Sequence, residues 1–192
     1  MIASVRHWRS WLRFATANRA ALDTLVIRRA IEVARAAHAN QFRISGEPAV
    51  LHAVFVARML AIATRDAAIV ICALLHDAVE DTALERSDLQ RDFGWRVADT
   101  VALMTKDGPG IPPPVMQLAA ARTAGAKESE VLRSAFVLKI NDRLHNMMTV
   151  HALPAPRRLR LARETIGVLV PLAADIAPQY VSPMNRLCAP EL

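Results

Sequence analysis

His76, Asp77, Glu80 and Asp81 stand together in the string His-Asp-Ala-Val-Glu-Asp, directly after Ala67 to Leu75, a run without a charged side chain. Ionisable groups at the rim of an apolar segment are costly to desolvate, and a cation shared between them removes that cost. A metal site is one interpretation; a helix end whose charges are simply solvated is the other. On a helix, His76 and Glu80 share a face through their four-residue spacing, as do Asp77 and Asp81, so one turn can present metal ligands together with a further acid. Neighbouring His76 and Asp77 lie about 100° apart around a helix axis, yet can meet one ion at a helix end that is not solidly packed. Two distant residues fit the same site. His52 follows a Gly-Pro turn in FRISGEPAVLH, and Asp142 lies in KINDRLHNMMT. Each alone also suits a packing histidine or half of a surface ion pair.

Helices must carry these residues. Leu25, Val26, Ile31, Val33, Ala34 and Ala37 predict one apolar face, and Val54, Phe55, Met59 and Leu60 a second. Ala67 to Asp81 reads as one central helix, apolar almost all round until its last turn. Ser87 with Gln90 makes a candidate capping box for a short helix ending near Gly94. Val97 to Met104, an amphipathic Glu128 to Val150, and Arg157 to Ala174 complete the series. No strand pattern alternates with these helices, so the expected architecture is all-α. Asn40 to Pro48 reads as a turn, and DGPGIPPP at Asp107 to Pro114 as a mobile loop, because its prolines and glycines oppose a helix.

The chain has 192 residues, 53% of them hydrophobic, which suits one compact domain and opposes low-complexity disorder. Its apolar runs are too short for a bilayer span, so a soluble protein with no transmembrane segment is expected. A net charge of +6 favours anionic partners, whereas aromatics at 5% give little support to a nucleic-acid surface. Cys72 and Cys188 cannot build a disulfide framework, and Cys72 lies within the apolar run, consistent with a reduced thiol in a cytoplasmic protein. Met1 to Ala21 carries Arg6, Arg9, Arg13 and Arg19 without an acid, with Val5, Trp8, Leu12 and Ala15 at helical spacing. This predicts a basic amphipathic helix packed on the domain. The expected division is an N-terminal extension over 1–24, a catalytic domain over 25–178 and a C-terminal tail over 179–192.

In order, His52, His76 with Asp77, and Asp142 resemble the H…HD…D ligand pattern of the HD superfamily of metal-dependent phosphohydrolases. AHANQFRISGEP, LLHDAVEDT, DFGWRVADTV, MTK, LKINDRLHNM and RETIGVLVPLA are similar to successive signatures of the hydrolase domain of the RelA/SpoT alarmone enzymes. The likeness runs from about Ala30 to Ala174, leaves no length for the synthetase and regulatory domains of longer members, and is nearest to the small alarmone hydrolases. It implies an HD-domain helical bundle that hydrolyses the 3′-pyrophosphate of ppGpp or pppGpp, giving GDP or GTP and pyrophosphate. It also implies a manganese ion held by His52, His76, Asp77 and Asp142. Imidazole and carboxylate ligands suit manganese, and equally zinc, iron or cobalt. By the same correspondence Glu80 and Asp81 jointly position or deprotonate the attacking water. Arg43, Ser45, Asn146 and Thr149 contact the guanosine nucleotide, and Lys106 and Lys139 either contact it or brace the helices. His38 and His145 match family positions, with packing as the expected role.

The departures fall on recognition. Ile44 stands where relatives carry a lysine, and Met148 where they carry an arginine; Ala49 and Leu169 replace tyrosines and Ala53 a proline. Losing two cations weakens the attraction for a substrate with two pyrophosphates. A shifted nucleotide substrate, such as the 2′-phosphate of NADPH, is therefore an alternative, and a nucleotide-binding regulatory module of low turnover is another. Retention of Glu80 and Asp81 argues against the latter, since binding does not require that acid pair.

Overall fold

The computed structural model describes residues 24–64, 66–106, 113, 115, 116 and 129–192. The expected basic helix over Met1 to Ala21 and the loop over Asp107 to Pro114, apart from Pro113, lie outside them. Among the described residues there are helices and no strands, as expected of an all-α fold; one isolated bridge pairs Phe42 with Pro48.

Helix α1 spans Thr24–Ala37 and α2 spans Ala49–Ala63. The turn between them reverses at Gly46, whose φ of 84° falls in the left-handed region that glycine enters without a Cβ clash. Helix α3, Ala67–Leu75, begins where the Asp66 carboxylate accepts the Ala68 N–H at 2.9 Å. Every residue from Ile69 to Leu75 is buried. Burying one such aliphatic side chain contributes about 1.5–3 kcal/mol, so the segment belongs at the centre, packed against α1 and α2.

The predicted continuous helix from Ala67 to Asp81 is in fact broken. After Leu75 the chain makes a turn at His76 and Asp77, and a single-turn helix α4 follows at Ala78–Asp81. Asp77 has φ −94° and ψ −8°, at the edge of the helical region. Helix α5, Arg86–Phe93, is closed by Gly94 at φ 86°, and α6 follows at Trp95–Met104. The capping box opening α5 uses Glu85 and Asp88 rather than Ser87 and Gln90. A carboxylate at Glu85 reaches the N3 amide, and Asp88 returns to the Glu85 N–H at 3.1 Å.

Helix α7, Glu130–Met148, starts at Ser129, whose hydroxyl accepts the Leu132 N–H at 3.2 Å. It is not the amphipathic rod expected, because every residue from Ile140 to His145 is buried. The cause is packing on several sides, by α2, α3 and α6 and by two later helices, α9 (Val170–Ile176) and α10 (Val181–Cys188). Between α7 and α9, helix α8, Ala155–Glu164, runs into α9 through a wide π-type turn at Thr165–Leu169, where the Val170 N–H bonds to the Thr165 carbonyl. Pro171 offers no N–H to Gly167, and the helix widens just before it. Residues 181–188, expected within a tail, are helical and bury Met184 and Cys188. Two apolar faces also differ from expectation. The buried side of α1 is Ile27, Ala30, Ile31 and Ala34, with Leu25 74% exposed; in α2 Phe55 faces away from buried Val56 and Leu60.

Candidate metal and substrate site

His52 enters from the first turn of α2, His76 from the end of α3 and Asp142 from the middle of α7. One ligand atom from each lies within 4.8 Å of the others, and all three side chains are buried. His52 Nε2 stands 3.1 Å from Asp142 Oδ1 and 3.9 Å from Asp77 Oδ2. His76 Nε2 stands 3.2 Å from Asp77 Oδ1 and 3.8 Å from Asp142 Oδ1. The break after Leu75 lets adjacent His76 and Asp77 meet, which a continuous helix opposes. Asp77 is 40% exposed and forms the solvent side of the cluster.

The donor set can be tested against a divalent ion. His76 Nδ1 lies 2.8 Å from the Ala73 carbonyl, which can only accept, so that nitrogen carries the proton. Nε2 therefore presents a lone pair, and it is buried with no hydrogen-bond partner. An unpaired buried acceptor aimed at carboxylates is unfavourable by itself and is resolved by a cation. Ligands about 2.0–2.2 Å from one ion stand roughly 3.0–3.5 Å apart at tetrahedral or octahedral angles; the 3.1 and 3.2 Å spacings fall in that range, and the 3.8 and 3.9 Å spacings are somewhat wider. The residues fit a divalent metal.

Electrostatics keep Asp142 available as an anion. Burial alone would raise its pKa, but the Lys139 ammonium at 3.0 Å and then the neighbouring imidazoles of His52 and His76 outweigh it and hold the carboxyl well below the usual range. Asp81 moves the other way, raised by partial burial and then by the neighbouring charges of Asp77 and Glu80. Glu80 forms an ion pair with Lys106 and also accepts the Lys106 backbone N–H at 3.3 Å. Both lysines proposed for substrate are thus engaged with carboxylates of the cluster.

The recognition candidates gather on one side. A cavity of about 320 Å³ is lined in part by Arg43, Ser45, Asn146 and Thr149. It adjoins a larger one of about 690 Å³ over the carboxylates, and Arg43 and Asn146 line both. Arg43 Nη2 donates to Asn146 Oδ1 at 2.7 Å, and Asn146 Nδ2 donates to Asp142 Oδ1 at 2.6 Å. Asn146 is therefore a link between a buried acid and a partly exposed cation. The Thr149 hydroxyl donates back to the His145 carbonyl at 3.2 Å. Ile44, also lining the smaller cavity, is 64% exposed.

Three further side chains support the site: Gln41 and His145, given no role in it from sequence, and Arg143, expected from its place after Asp142 to hold a neighbouring carboxylate. Gln41 accepts the His38 Nδ1–H at 2.6 Å and donates Nε2–H to the Asp81 carbonyl at 2.6 Å, tying the 40–48 turn to α4. Arg143 donates to the Leu161 carbonyl and the Thr165 hydroxyl, both at 3.1 Å, and pairs with Glu164. It fastens α7 to α8. His145 was expected to pack; its Nδ1 lies 2.7 Å from His52 Nδ1, and its ring stacks on Phe55. Burial, and then His52 and Arg43, pull His145 down to about 4, so its ring is neutral at physiological pH. The three-residue step from Asp142 on one helix was the available signal.

The profile of the HD domain family matches residues 30–175. The chain is 40% identical over 151 residues to a probable GTP pyrophosphokinase of Mycobacterium leprae, covering 77% of this chain and 19% of that protein. It is 33% identical over 159 residues to a guanosine-3′,5′-bis(diphosphate) 3′-pyrophosphohydrolase of Haemophilus influenzae, covering 78% and 22%. The chain thus spans about a fifth of the length of the curated relatives it matches. Among solved structures, a metazoan orthologue of SpoT, described as hydrolysing ppGpp, superposes with a TM-score of 0.70 at 21% identity, covering 86% of this chain and 94% of that one. This agrees with the HD helical fold.

Proposed function

The chain belongs to the HD domain family, and on that premise we propose that it is a metal-dependent (p)ppGpp 3′-pyrophosphohydrolase, releasing pyrophosphate and leaving GDP or GTP. The observation that carries this reading is the buried, unpartnered His76 Nε2 facing two carboxylates beside a second imidazole. His52, His76, Asp77 and Asp142 would hold a divalent ion, with manganese as the choice. When bound, such an ion stabilises negative charge on a phosphoryl group and activates water.

The chain's own groups supply the rest. Glu80 and Asp81 jointly orient the attacking water and accept its proton, with Lys106 holding Glu80 in place. Lys139 keeps Asp142 ionised. Arg43 lies across the boundary between the two cavities, where its guanidinium can stack on a purine while the scissile phosphate sits over the carboxylates. Ser45 and Thr149 offer hydroxyls to the nucleotide, and Asn146 fixes the orientation of Arg43. We place the catalytic domain at residues 25–178 and the protein in the cytoplasm; no helix among the described residues is long and apolar enough to cross a membrane.

A second substrate reading rests on exposed Ile44 and Met148, where cations are missing. A nucleotide of lower charge, such as one with a single 2′- or 3′-phosphate, makes less use of such cations. The deciding assay incubates purified protein with ppGpp and Mn²⁺ and separates the products, with NADPH as a parallel substrate. GDP and pyrophosphate in equal amounts, abolished by excess chelator, are expected. Full turnover in chelator would overturn the metal-dependent reading, and phosphate from NADPH without turnover of ppGpp would establish the second.

A further inference from the structure

His145 sits at the back of the cluster, behind the ring of His52. The two Nδ1 atoms are 2.7 Å apart and buried, with ring centroids 4.9 Å apart and planes tilted by 49°. Two ring nitrogens at that distance share one proton: one is N–H, the other a lone pair. The opposite nitrogen of His52, Nε2, is the one facing Asp142 and Asp77. Ligation through Nε2 uses its lone pair and requires the ring proton on Nδ1. His145 Nδ1 must then accept, and His145 carries its own proton on Nε2.

We infer that His145 is a positioning residue, which fixes the orientation and tautomer of His52 by accepting its Nδ1–H and so sets the affinity of the site for a divalent ion. The inference rests on the proposed metal-binding role of His52. Two further features hold the acceptor still. The His145 ring stacks on Phe55, centroids 5.1 Å apart and planes at 22°, and its backbone lies in the buried stretch of α7. His76 is held in the same way by the Ala73 carbonyl. The two imidazoles thus have different acceptors, a fixed main-chain oxygen for one and a replaceable side chain for the other.

Partners that orient a ligating histidine typically change metal affinity by about 10- to 100-fold when removed. The test compares wild type with His145→Leu, which keeps bulk and removes the acceptor, and His145→Asn, whose side-chain oxygen can accept near the same point. Mn²⁺ affinity is measured by calorimetry on chelator-stripped protein. Ring-nitrogen NMR of the diamagnetic Zn²⁺ form reports the His52 tautomer. The expected result is a fall of about tenfold or more for H145L, with a weakened or lost His52 Nδ1–H signal, and substantial recovery of both in H145N. Wild-type affinity and an unchanged His52 signal in H145L would overturn the inference, as would equal losses in both variants. Failure of the wild type to bind either ion would instead overturn the metal-site reading.

Discussion

The wall proposed to hold the chemistry and the rim proposed to hold the base are built differently. His52, His76 and Asp142 are 2%, 2% and 5% exposed and come from three helices packed against one another. Around the recognition side Phe42, Ile44 and Met148 are 67%, 64% and 57% exposed, and they come from the 40–48 turn and the end of α7. The wall inherits its geometry from the core, where a displaced ligand requires displaced helices. The rim is carried by a turn and a helix terminus, which accept new side chains without disturbing the core. That difference suits the sequence reading, in which the proposed chemical residues match the family pattern while Ile44 and Met148, on the proposed recognition side, depart from it.

Substitutions should separate the two regions, starting with the greatest loss. Asp142→Ala removes a candidate ligand and strands Lys139; hydrolysis should fall by at least about a thousandfold, the several kcal/mol a bound divalent ion contributes. Steady-state kinetics together with Mn²⁺ titration would check it, and unimpaired ion binding would dissolve the distinction between wall and rim. Glu80→Gln should lower kcat by about a hundredfold or more while leaving ion affinity near wild type, the result expected of a proton acceptor rather than a ligand. At the rim, Arg43→Ala should act mainly on KM, by about ten- to a hundredfold, the range for a charge-assisted hydrogen bond. An equal collapse of kcat would place Arg43 with the wall. Restoring cations through Ile44→Lys and Met148→Arg should tighten ppGpp binding several-fold, with the gain shrinking as salt rises.

The smallest effect concerns the core behind the wall. Burial pushes the Cys72 thiol up to about 12, so almost no thiolate exists at pH 8. Native protein should leave Cys72 unlabelled by a thiol reagent, and labelling should appear only in denaturant. Rapid native labelling at Cys72 would mean that α3 opens, removing the rigidity assigned to the wall.

The convergence of three of the four proposed ligands was legible because residue type and chain order suffice when chemistry is restrictive. His52, His76 and Asp142 converge as expected, and α3 coincides with the uninterrupted apolar run Ala67–Leu75. The break at His76 and Asp77 was not legible, since the residues that follow, Ala78 to Asp81, are acceptable in a continuous helix. Glu85 escaped notice as a cap because serine ranks higher at that position in general, while here a carboxylate performs both halves of the exchange. Leu25 was misassigned because the pattern near the start of α1 suits two faces and only the neighbours choose between them. Gln41 acts through a partner 40 positions away, which no local spacing reports, and His145 reaches His52 across 93 positions, where only its three-residue step from Asp142 pointed to the site.

The wide turn at Thr165–Leu169 sets the angular phase of everything beyond it. The turn holds one residue more than an α-helical turn, so deleting a residue there should close it to regular helix with Leu172, Ala173 and Ile176 still inward, whereas an added residue should rotate them by about 100° away from the core they now face. Gain and loss of a residue at this point are therefore unequal: the loss is absorbed by the turn, while the gain is passed on as a rotation of the whole helix surface beyond it.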